Sequence, residues 1–302
     1  IRSERRDGYL LEHGPNTPAL RAGHSIGFLE ELGLLEHTID ANPEASKRFV
    51  VKNGRTVAAP SSPSVLLGTS LFSLTNKLRL LLEPFLPRGK NRENESVAGF
   101  FRRRLGREAL DYAANPFVAG VYAARPETLI LRHAFPTIHK MEEEHRSLML
   151  GGMKAAKRRK REGLPKTRLV SFREGLGELA GRLAEELGDA LRLKASVQKI
   201  TRRDEEWLVT YNQDGESRED RAERLVCALP AHKLKDLEWD NLLEVDTLET
   251  LSNAPHHPVS ILHHGFRRKD MGHPLDGFGF LVPDKENLHI LGTLFSSTLF
   301  PG

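Results

Sequence analysis

Phe278, Phe280 and Leu281 lie in the run GFGFLVPDKENLHILGTLFSSTLFPG (277–302) and are the side chains best suited to hold a ligand. The ligand they suit is flat and mostly apolar. Two short apolar stretches, Phe278–Val282 and Leu288–Leu294, flank Pro-Asp-Lys-Glu-Asn, which spells strand, turn, strand. Gly277, Gly279 and Gly292 interrupt the strands, where a missing side chain lets something large approach the backbone. An ordinary core hairpin would read the same way.

Three other places carry residue types of interest. Gly14 and Pro15 open a stiff, accessible loop, and Asn16 and Thr17 add short polar side chains. Gly120, between Ala119 and Val121, lets backbone come close to a planar group, although a packed helix turn needs a glycine too. His256-His257 and His263-His264 flank an apolar run. Strand alternation would split each pair between two faces, and without a convergent third ligand they read as structural, with no metal site. Cys227 reads as a small buried hydrophobe rather than a redox group. No Ser-His-Asp or paired-carboxylate constellation is present, so no general base is assigned and the catalytic residue is unknown.

The elements that must position these groups alternate between helix and strand. Tyr9-Leu10-Leu11 is a strand core, and Ile26, Leu29, Leu32, Leu34 and Leu35 mark a helix within 25–40 that Gly33 ends. Asn53-Gly54 between two apolar runs predicts a hairpin. From Pro60 to Gly152 the sequence suits helices. Leu71–Leu86 carries the apolar face Leu71, Leu74, Leu78, Leu81, Leu82 and Phe85, which fits either core packing or a helix lying in one membrane leaflet. Residues 153–167 are basic and polar and read as a linker. Leu176, Leu179, Leu183 and Leu187 share a helix face. Strands are expected at Leu191–Lys194, Val197–Arg202, Trp207–Tyr211 and Arg224–Leu229.

Composition sets outer bounds. A chain of 302 residues with 39% hydrophobic and 28% charged residues can bury a substantial core. One cysteine excludes an internal disulfide and fits a reducing compartment. No apolar run approaches the roughly 20 residues needed to span a bilayer. The opening Ile-Arg-Ser-Glu-Arg-Arg does not read as a signal peptide, and the absent initiator Met points to a true N-terminus upstream. Net charge is +4, with Lys154, Lys157, Arg158, Arg159, Lys160 and Arg161 in one cluster. That cluster has no interleaved aromatics and no nucleic-acid fold motif, which argues against nucleic acid as the partner.

Five ordered stretches resemble the oxygen-dependent protoporphyrinogen oxidase family: IRSERRDGYLLEHGPN (1–16), FRRRLG (101–106), NPFVAGVYAARPETLILRHAFP (115–136), SFREGLGELAGRLAEEL (171–187) and 277–302. The resemblance implies a mixed α/β (α+β) chain, with an FAD-binding Rossmann-like domain of the amine-oxidase-like flavoprotein type. That domain is interrupted by a mixed-sheet substrate domain and a helical membrane-associating insert. The implied segments are 1–45 in the FAD-binding domain, 46–60 a substrate-domain hairpin, 61–152 the insert and 153–167 a basic linker. Residues 168–231 return to the FAD-binding domain, and 232–302 form an incomplete substrate-binding domain.

By the same resemblance Gly14, Pro15, Asn16, Thr17 and Val197 contact FAD, the strand ending Ala228-Leu229-Pro230 runs on the cofactor side, and Gly120, Phe278, Leu281 and Leu294 border the macrocycle. The implied reaction is the six-electron, three-step oxidation of protoporphyrinogen IX to protoporphyrin IX, with FAD accepting hydride and dioxygen yielding hydrogen peroxide. Coproporphyrinogen III is the alternative substrate. Another amine-oxidase-like enzyme and a non-catalytic membrane module are alternative functions. Implied too are peripheral binding to the inner face of the cell membrane through the insert and cluster 154–161, a cytoplasmic location, and compatibility with a homodimer.

Two features depart from the family pattern. No GxGxxG occurs in the 302 residues, so the chain reads as a central fragment that binds FAD weakly or not at all and is inactive alone. The arginine expected just after the proline that opens the insert is also missing from Ala59-Pro60-Ser61-Ser62-Pro63-Ser64, so the propionate partner is unassigned.

Overall fold

The computed structural model describes residues 1–21, 23–89, 93–163, 165, 167–240 and 242–301. They form two compact units, Ile1–Ala180 with Val259–Gly302, and Gly181–Pro258.

The first unit opens with strands β1 (Ser3–Arg6) and β2 (Tyr9–Glu12), paired antiparallel across Asp7-Gly8. Both turn residues have positive φ, 51° and 82°, the conformation a two-residue hairpin needs. Strand β3 (Ala19–Leu20) follows, then helix α1 (His24–Glu31). Gly33, at φ 67°, ends that helix as expected: its N–H reaches Glu30 O, and Leu34 N–H reaches Leu29 O at 2.8 Å. Strand β4 (Thr38–Asp40) is followed by β5 (Lys47–Lys52) and β6 (Arg55–Ala58). The β5–β6 hairpin turns at Asn53-Gly54, φ 52° and 70°, as the dipeptide predicted.

The predicted helical stretch contains α2 (Pro63–Gly68), α3 (Leu74–Leu81), α4 (Val97–Arg104) and α5 (Arg107–Ala109). A π-helical turn, Leu110–Ala114, carries α5 into α6 (Asn115–Tyr122), which Ala123 ends at φ 47°. Helices α7 (Leu131–Ala134), α8 (Pro136–His145) and α9 (Leu148–Arg161) complete it. Ser62, Ser73, Ser96 and Ser147 cap α2, α3, α4 and α9, each accepting an N–H three residues on. The core between these helices is Val97, Ala98, Phe100, Leu110, Ala114, Val118 and Leu131. A second cluster, Val50, Leu71, Phe72, Ala109 and Tyr112, joins them to the β5 sheet.

The expected linker needs correction. Helix α9 runs through the basic cluster to Arg161. Ser147 caps its start, its Ala, Met, Lys and Arg residues are good helix formers, and cations in a last turn oppose the helix dipole favourably.

A buried ion cluster locks the helices. Glu83, Arg104 and Glu142 are almost wholly enclosed. Arg104 Nε donates to Glu83 at 2.7 Å, and its Nη1 lies 3.3 Å from Glu142. Glu83 also accepts from Ser147 Oγ at 2.5 Å and from the Leu148 and Met149 N–H groups at the start of α9. Arg103 binds both Glu95 and Glu142 through paired bonds of 2.8–3.1 Å.

Strand β7 (Arg168–Phe172) lies between β3 and β4, antiparallel to both, and helix α10 (Gly177–Leu187) follows. In the second unit β8 (Ser196–Arg203), β9 (Glu206–Gln213) and β10 (Glu216–Ala222) form an antiparallel meander, followed by α11 (Val245–Ser252). The turns between them carry positive φ at Asp204 and at Asp214-Gly215. The strands expected at Leu191–Lys194 and Arg224–Leu229 do not form: both stretches are irregular, without ladder partners among the described residues. Val226 is 89% exposed, and Cys227, expected buried, is exposed as well.

Back in the first unit, His263-His264 are irregular rather than strand, as are His256-His257 in the second. Strands β11 (Gly277–Leu281) and β12 (Gly292–Leu294) and helix α12 (Ser296–Leu299) end the chain. The C-terminal hairpin expected from sequence is present, Gly279 opposite Leu294 and Leu281 opposite Gly292. Strand β11 also pairs with β5 in the one parallel ladder among the described residues, giving the sheet order β12-β11-β5-β6.

Candidate functional site

The apolar wall is built by a bulge. Gly277 pairs with Lys47 and Gly279 with Arg48, so Phe278 is the extra residue on β11. The bulge sends Phe278 toward Arg48, whose guanidinium carbon lies 4.5 Å from the ring centroid. Arg48 is followed two residues on by Val50, which pairs with Leu281, and Gly279 pairs with Leu294. Paired residues and i, i+2 residues share a face. Phe278, Leu281, Leu294 and Arg48 therefore belong to one face of the sheet.

Phe280 does not join that wall. Alternation places it on the opposite face, in an aromatic cluster with Phe49, His273 and Phe295, whose ring centroids are 5.2–6.5 Å apart.

The glycines have a different cause from the one expected. A Cβ on Gly279 (φ 148°) would lie 2.0 Å from Thr293 O; one on Gly292 would lie 2.4 Å from Phe280 O, and one on Gly277 2.6 Å from the Phe49 ring. Neighbouring strands and an aromatic ring, not a ligand, occupy the space. Gly120 on α6 is similar: its Cβ would meet Leu281 Cδ2 at 2.7 Å. Helix α6 thus packs against the wall at Gly120, and the structure brings Gly120, Phe278, Leu281 and Leu294 together in one corner. Phe117, Val121 and Leu294 remain exposed at 45, 59 and 45%, leaving an open apolar surface there.

The loop 14–17 runs between β2 and β3. Thr17 Oγ1 donates to Asn16 Oδ1 at 2.8 Å, and no heavy atom lies within 4 Å of where a Gly14 Cβ would be. The loop's root is fixed: the Glu12 carboxylate accepts from Ser3 Oγ at 2.6 Å and Leu176 N–H at 2.8 Å, and Ser3 Oγ accepts from Gly177 N–H. This open backbone beside short polar groups fits one side of a flavin. The 302 residues supply no glycine-rich phosphate cradle to complete the site. Val197 lies in the second unit, half-buried on β8 opposite Tyr211.

The face expected on 71–86 divides. Leu71 is buried, whereas Leu74, Leu78, Leu81, Leu82 and Phe85 are exposed, Leu74 and Phe85 at 83%. Helix α3 turns Asn76 and Leu80 inward and Leu74, Leu78 and Leu81 outward, so most of its leucines face away from the core. Among the described residues no helix is long and apolar enough to cross a membrane, and no group of three or more His, Cys, Asp or Glu residues is placed to hold a metal ion.

A mixed α/β chain with a bulged apolar wall, a helix packed on it and an open Gly-Pro-Asn-Thr loop suits a flavoprotein. The chain belongs to the flavin containing amine oxidoreductase family, whose match covers residues 1–302, and FAD is the cofactor this membership implies. Within that family it is similar to the mitochondrial protoporphyrinogen oxidase of Nicotiana tabacum, with 31% identity over 100% of this chain and 65% of that protein. It is 26% identical to the coproporphyrinogen III oxidase of Staphylococcus aureus (strain NCTC 8325 / PS 47), over 100% of this chain and 66% of that one. A crystal structure from Exiguobacterium sp. 255-15, provisionally assigned as a protoporphyrinogen oxidase, shares the fold with TM-score 0.69 at 19% identity, covering 99% of this chain and 64% of that one. The chain spans under two thirds of the length of these relatives. The resemblance to protoporphyrinogen oxidases read from the sequence is borne out.

Arg48 was missed in the sequence. The signal lay in strand alternation: counted back from the Asn53-Gly54 turn, residue 48 shares a face with Val50. Among the described residues Arg48 pairs with no carboxylate; its Nη1 donates to Ser46 O at 3.0 Å.

Proposed function

We propose that the protein carrying this chain oxidises a porphyrinogen to a porphyrin, with protoporphyrinogen IX the first candidate substrate. The observation that carries the reading is the corner where Gly120, Phe278, Leu281 and Leu294 meet beside an arginine that has no acidic partner among the described residues. A tetrapyrrole is flat and apolar with carboxylates at its edge. Phe278 and the leucines would hold its face and exclude water, while Arg48 would pair with a carboxylate. Loop 14–17 would line the flavin. Bound FAD would supply the hydride acceptor for the macrocycle, with dioxygen as terminal oxidant reduced to hydrogen peroxide. Over three such steps six electrons and six protons leave the substrate, and three dioxygen molecules become three of peroxide. Coproporphyrinogen III is the second reading, supported by the S. aureus relative.

Porphyrin fluorescence growing on addition of each porphyrinogen to the flavin-loaded protein, expressed from the complete gene, tests this directly. The faster substrate decides between the two, and bound flavin without porphyrin from either would end the proposal. In the same assay Arg48→Ala is expected to raise KM about tenfold, on the order of 1.4 kcal/mol. An unchanged KM would remove Arg48 from the site.

The proposal extends to a peripheral place on the inner face of the cell membrane. The exposed leucines and Phe85 around α3 offer apolar anchors, and α9 offers cations contributing on the order of 1 kcal/mol each near an anionic surface. Co-sedimentation with vesicles is expected to fall for Leu74→Glu with Leu78→Glu. Equal sedimentation of that variant would refute the α3 contact.

A further inference from the structure

The turn that ends β11 is tied at both of its acids. Asn115, the first residue of α6, donates from Nδ2 to Asp284 Oδ2 at 2.9 Å and accepts at Oδ1 from Asp284 N–H at 2.9 Å. Two residues on, the Glu286 carboxylate accepts from the N–H groups of Asn53 and Gly54, at 3.0 Å each. Those amides belong to the β5–β6 turn. Between the two acids, Lys285 Nζ lies 3.4 Å from Asp111 and 5.4 Å from the Tyr112 ring centroid. Segments 53–54, 111–115 and 284–286, remote in sequence, are thereby joined at one point.

Each of the tied elements carries part of the wall. Gly120 is five residues beyond Asn115, Leu281 is three before Asp284, and Arg48 lies on the strand leading to Asn53. Gly120 against Leu281 is an apolar contact at a single point, about which α6 could still swing. The Asn115–Asp284 pair is a second, directional contact between the same helix and the same strand end. Two points fix the spacing and the tilt of α6 against β11. The pair lies on the rim of an open cavity lined also by Arg102, Arg107, Asp111 and Glu127, where water competes for its bonds. Such bonds contribute little to stability. They can still matter for a rigid flat ligand, since a misplacement of about 1 Å can cost on the order of 10²-fold in rate.

We infer that Asn115 and Asp284 are positioning residues: their reciprocal pair sets the corner between α6 and the β11–β12 face that receives a planar tetrapyrrole. The inference rests on the porphyrinogen reading above. Asn115→Asp sets two carboxylates against each other and should open the corner. The exchange Asn115→Asp with Asp284→Asn rebuilds both bonds. The amide now at position 284 donates to the carboxylate now at position 115, and the backbone N–H of residue 284 still has its acceptor.

The test uses the flavin-loaded protein from the complete gene, with protoporphyrin IX affinity by fluorescence quenching, KM and kcat for protoporphyrinogen IX, flavin content and melting temperature. N115D is expected to weaken porphyrin binding and raise KM by about tenfold, with kcat within about threefold and flavin content kept. The exchange is expected to return both affinities to within about threefold of the natural protein. Should N115D not fold, Asn115→Ala, which removes both bonds without adding charge, reads the same KM shift. Unchanged affinity in N115D and N115A, or failure of the exchange to restore it, overturns the inference. So does a loss that merely follows melting temperature. If the natural protein neither binds porphyrin nor oxidises the porphyrinogen, the function above fails first and takes this inference with it, and that control separates the two failures.

Discussion

Glu83→Ala is expected to destabilise the first unit by about 3–5 kcal/mol, because it leaves a buried guanidinium without its closest charge partner. Arg104 is fully enclosed, and Glu83 is its 2.7 Å partner. The same carboxylate receives Ser147 Oγ and two N–H groups of α9, so the truncation orphans three further donors. Melting temperature should fall by about 10 °C, given about 2–4 °C per kcal/mol for a body of this size. A loss below about 1 kcal/mol would show that water or Glu142 takes over, and the account of the cluster would be wrong. Replacing both Glu83 and Arg104 by Met should cost less than Glu83→Ala alone, since the buried guanidinium is then gone and Glu142, the charge that stays enclosed, keeps its paired bonds to Arg103.

The same carboxyl makes acid stability predictable. Burial pushes Glu83 upward, but the Ser147 hydroxyl, the Leu148 and Met149 N–H groups and Arg104 together outweigh it and hold it below the ordinary glutamate range. A carboxyl depressed by folding contributes stability that is complete above its unfolded value, about 4.3, and is lost as pH falls through the folded value below that. Melting temperature should therefore be insensitive to this group from pH 7 to about 5 and fall below about pH 4. Glu83→Gln should flatten that acid step; an equally steep step in the variant would assign it to other carboxylates.

Local turn chemistry made parts of the fold legible. Asn53-Gly54 and Gly33 each specify a backbone conformation that only a few residue types tolerate, and each sits where expected. The second unit's third strand escaped notice because ESREDRA shows no apolar alternation; it is held by its ladder to β9 rather than by a buried face. Pairing between distant segments left no local trace. Nothing in residues 47–52 announces that β11, over 220 positions later, lies parallel to it, or that a bulge turns Phe278 onto the Arg48 face. The residues proposed to face the substrate were indicated by a resemblance to a family, and their convergence in one corner is a product of that long-range ladder. Glu83, Arg104 and Glu142 were invisible for a related reason: charged side chains read as a solvated face until three of them meet in the interior.

That corner should respond very differently to two substitutions that look alike in sequence, Gly279→Ala and Gly120→Ala. A methyl group on Gly279 would lie 2.0 Å from Thr293 O and 3.0 Å from Leu294 Cα, both backbone atoms of the paired strand, at a φ of 148°. Neither can move unless β12 separates from β11. Strain of about 1–3 kcal/mol at such a backbone adds to about 1–3 kcal/mol of overpacking. The loss should appear as a fall in melting temperature together with loss of porphyrin binding, because Leu294 leaves the wall with its strand.

On Gly120 the same methyl meets only Leu281 Cδ2 at 2.7 Å, the end of a side chain that can change rotamer, with the next atom of Leu281 at 4.0 Å. Its stability cost should stay below about 1.5 kcal/mol. The displaced Leu281 alters the surface offered to the macrocycle, so porphyrin affinity should fall while melting temperature holds. Equal melting temperatures for the natural protein and Gly279→Ala would contradict the close approach of β12. Unchanged porphyrin affinity in Gly120→Ala would place the macrocycle elsewhere than this corner. The two glycines thus separate what the backbone needs in order to form the wall from what the ligand needs in order to use it.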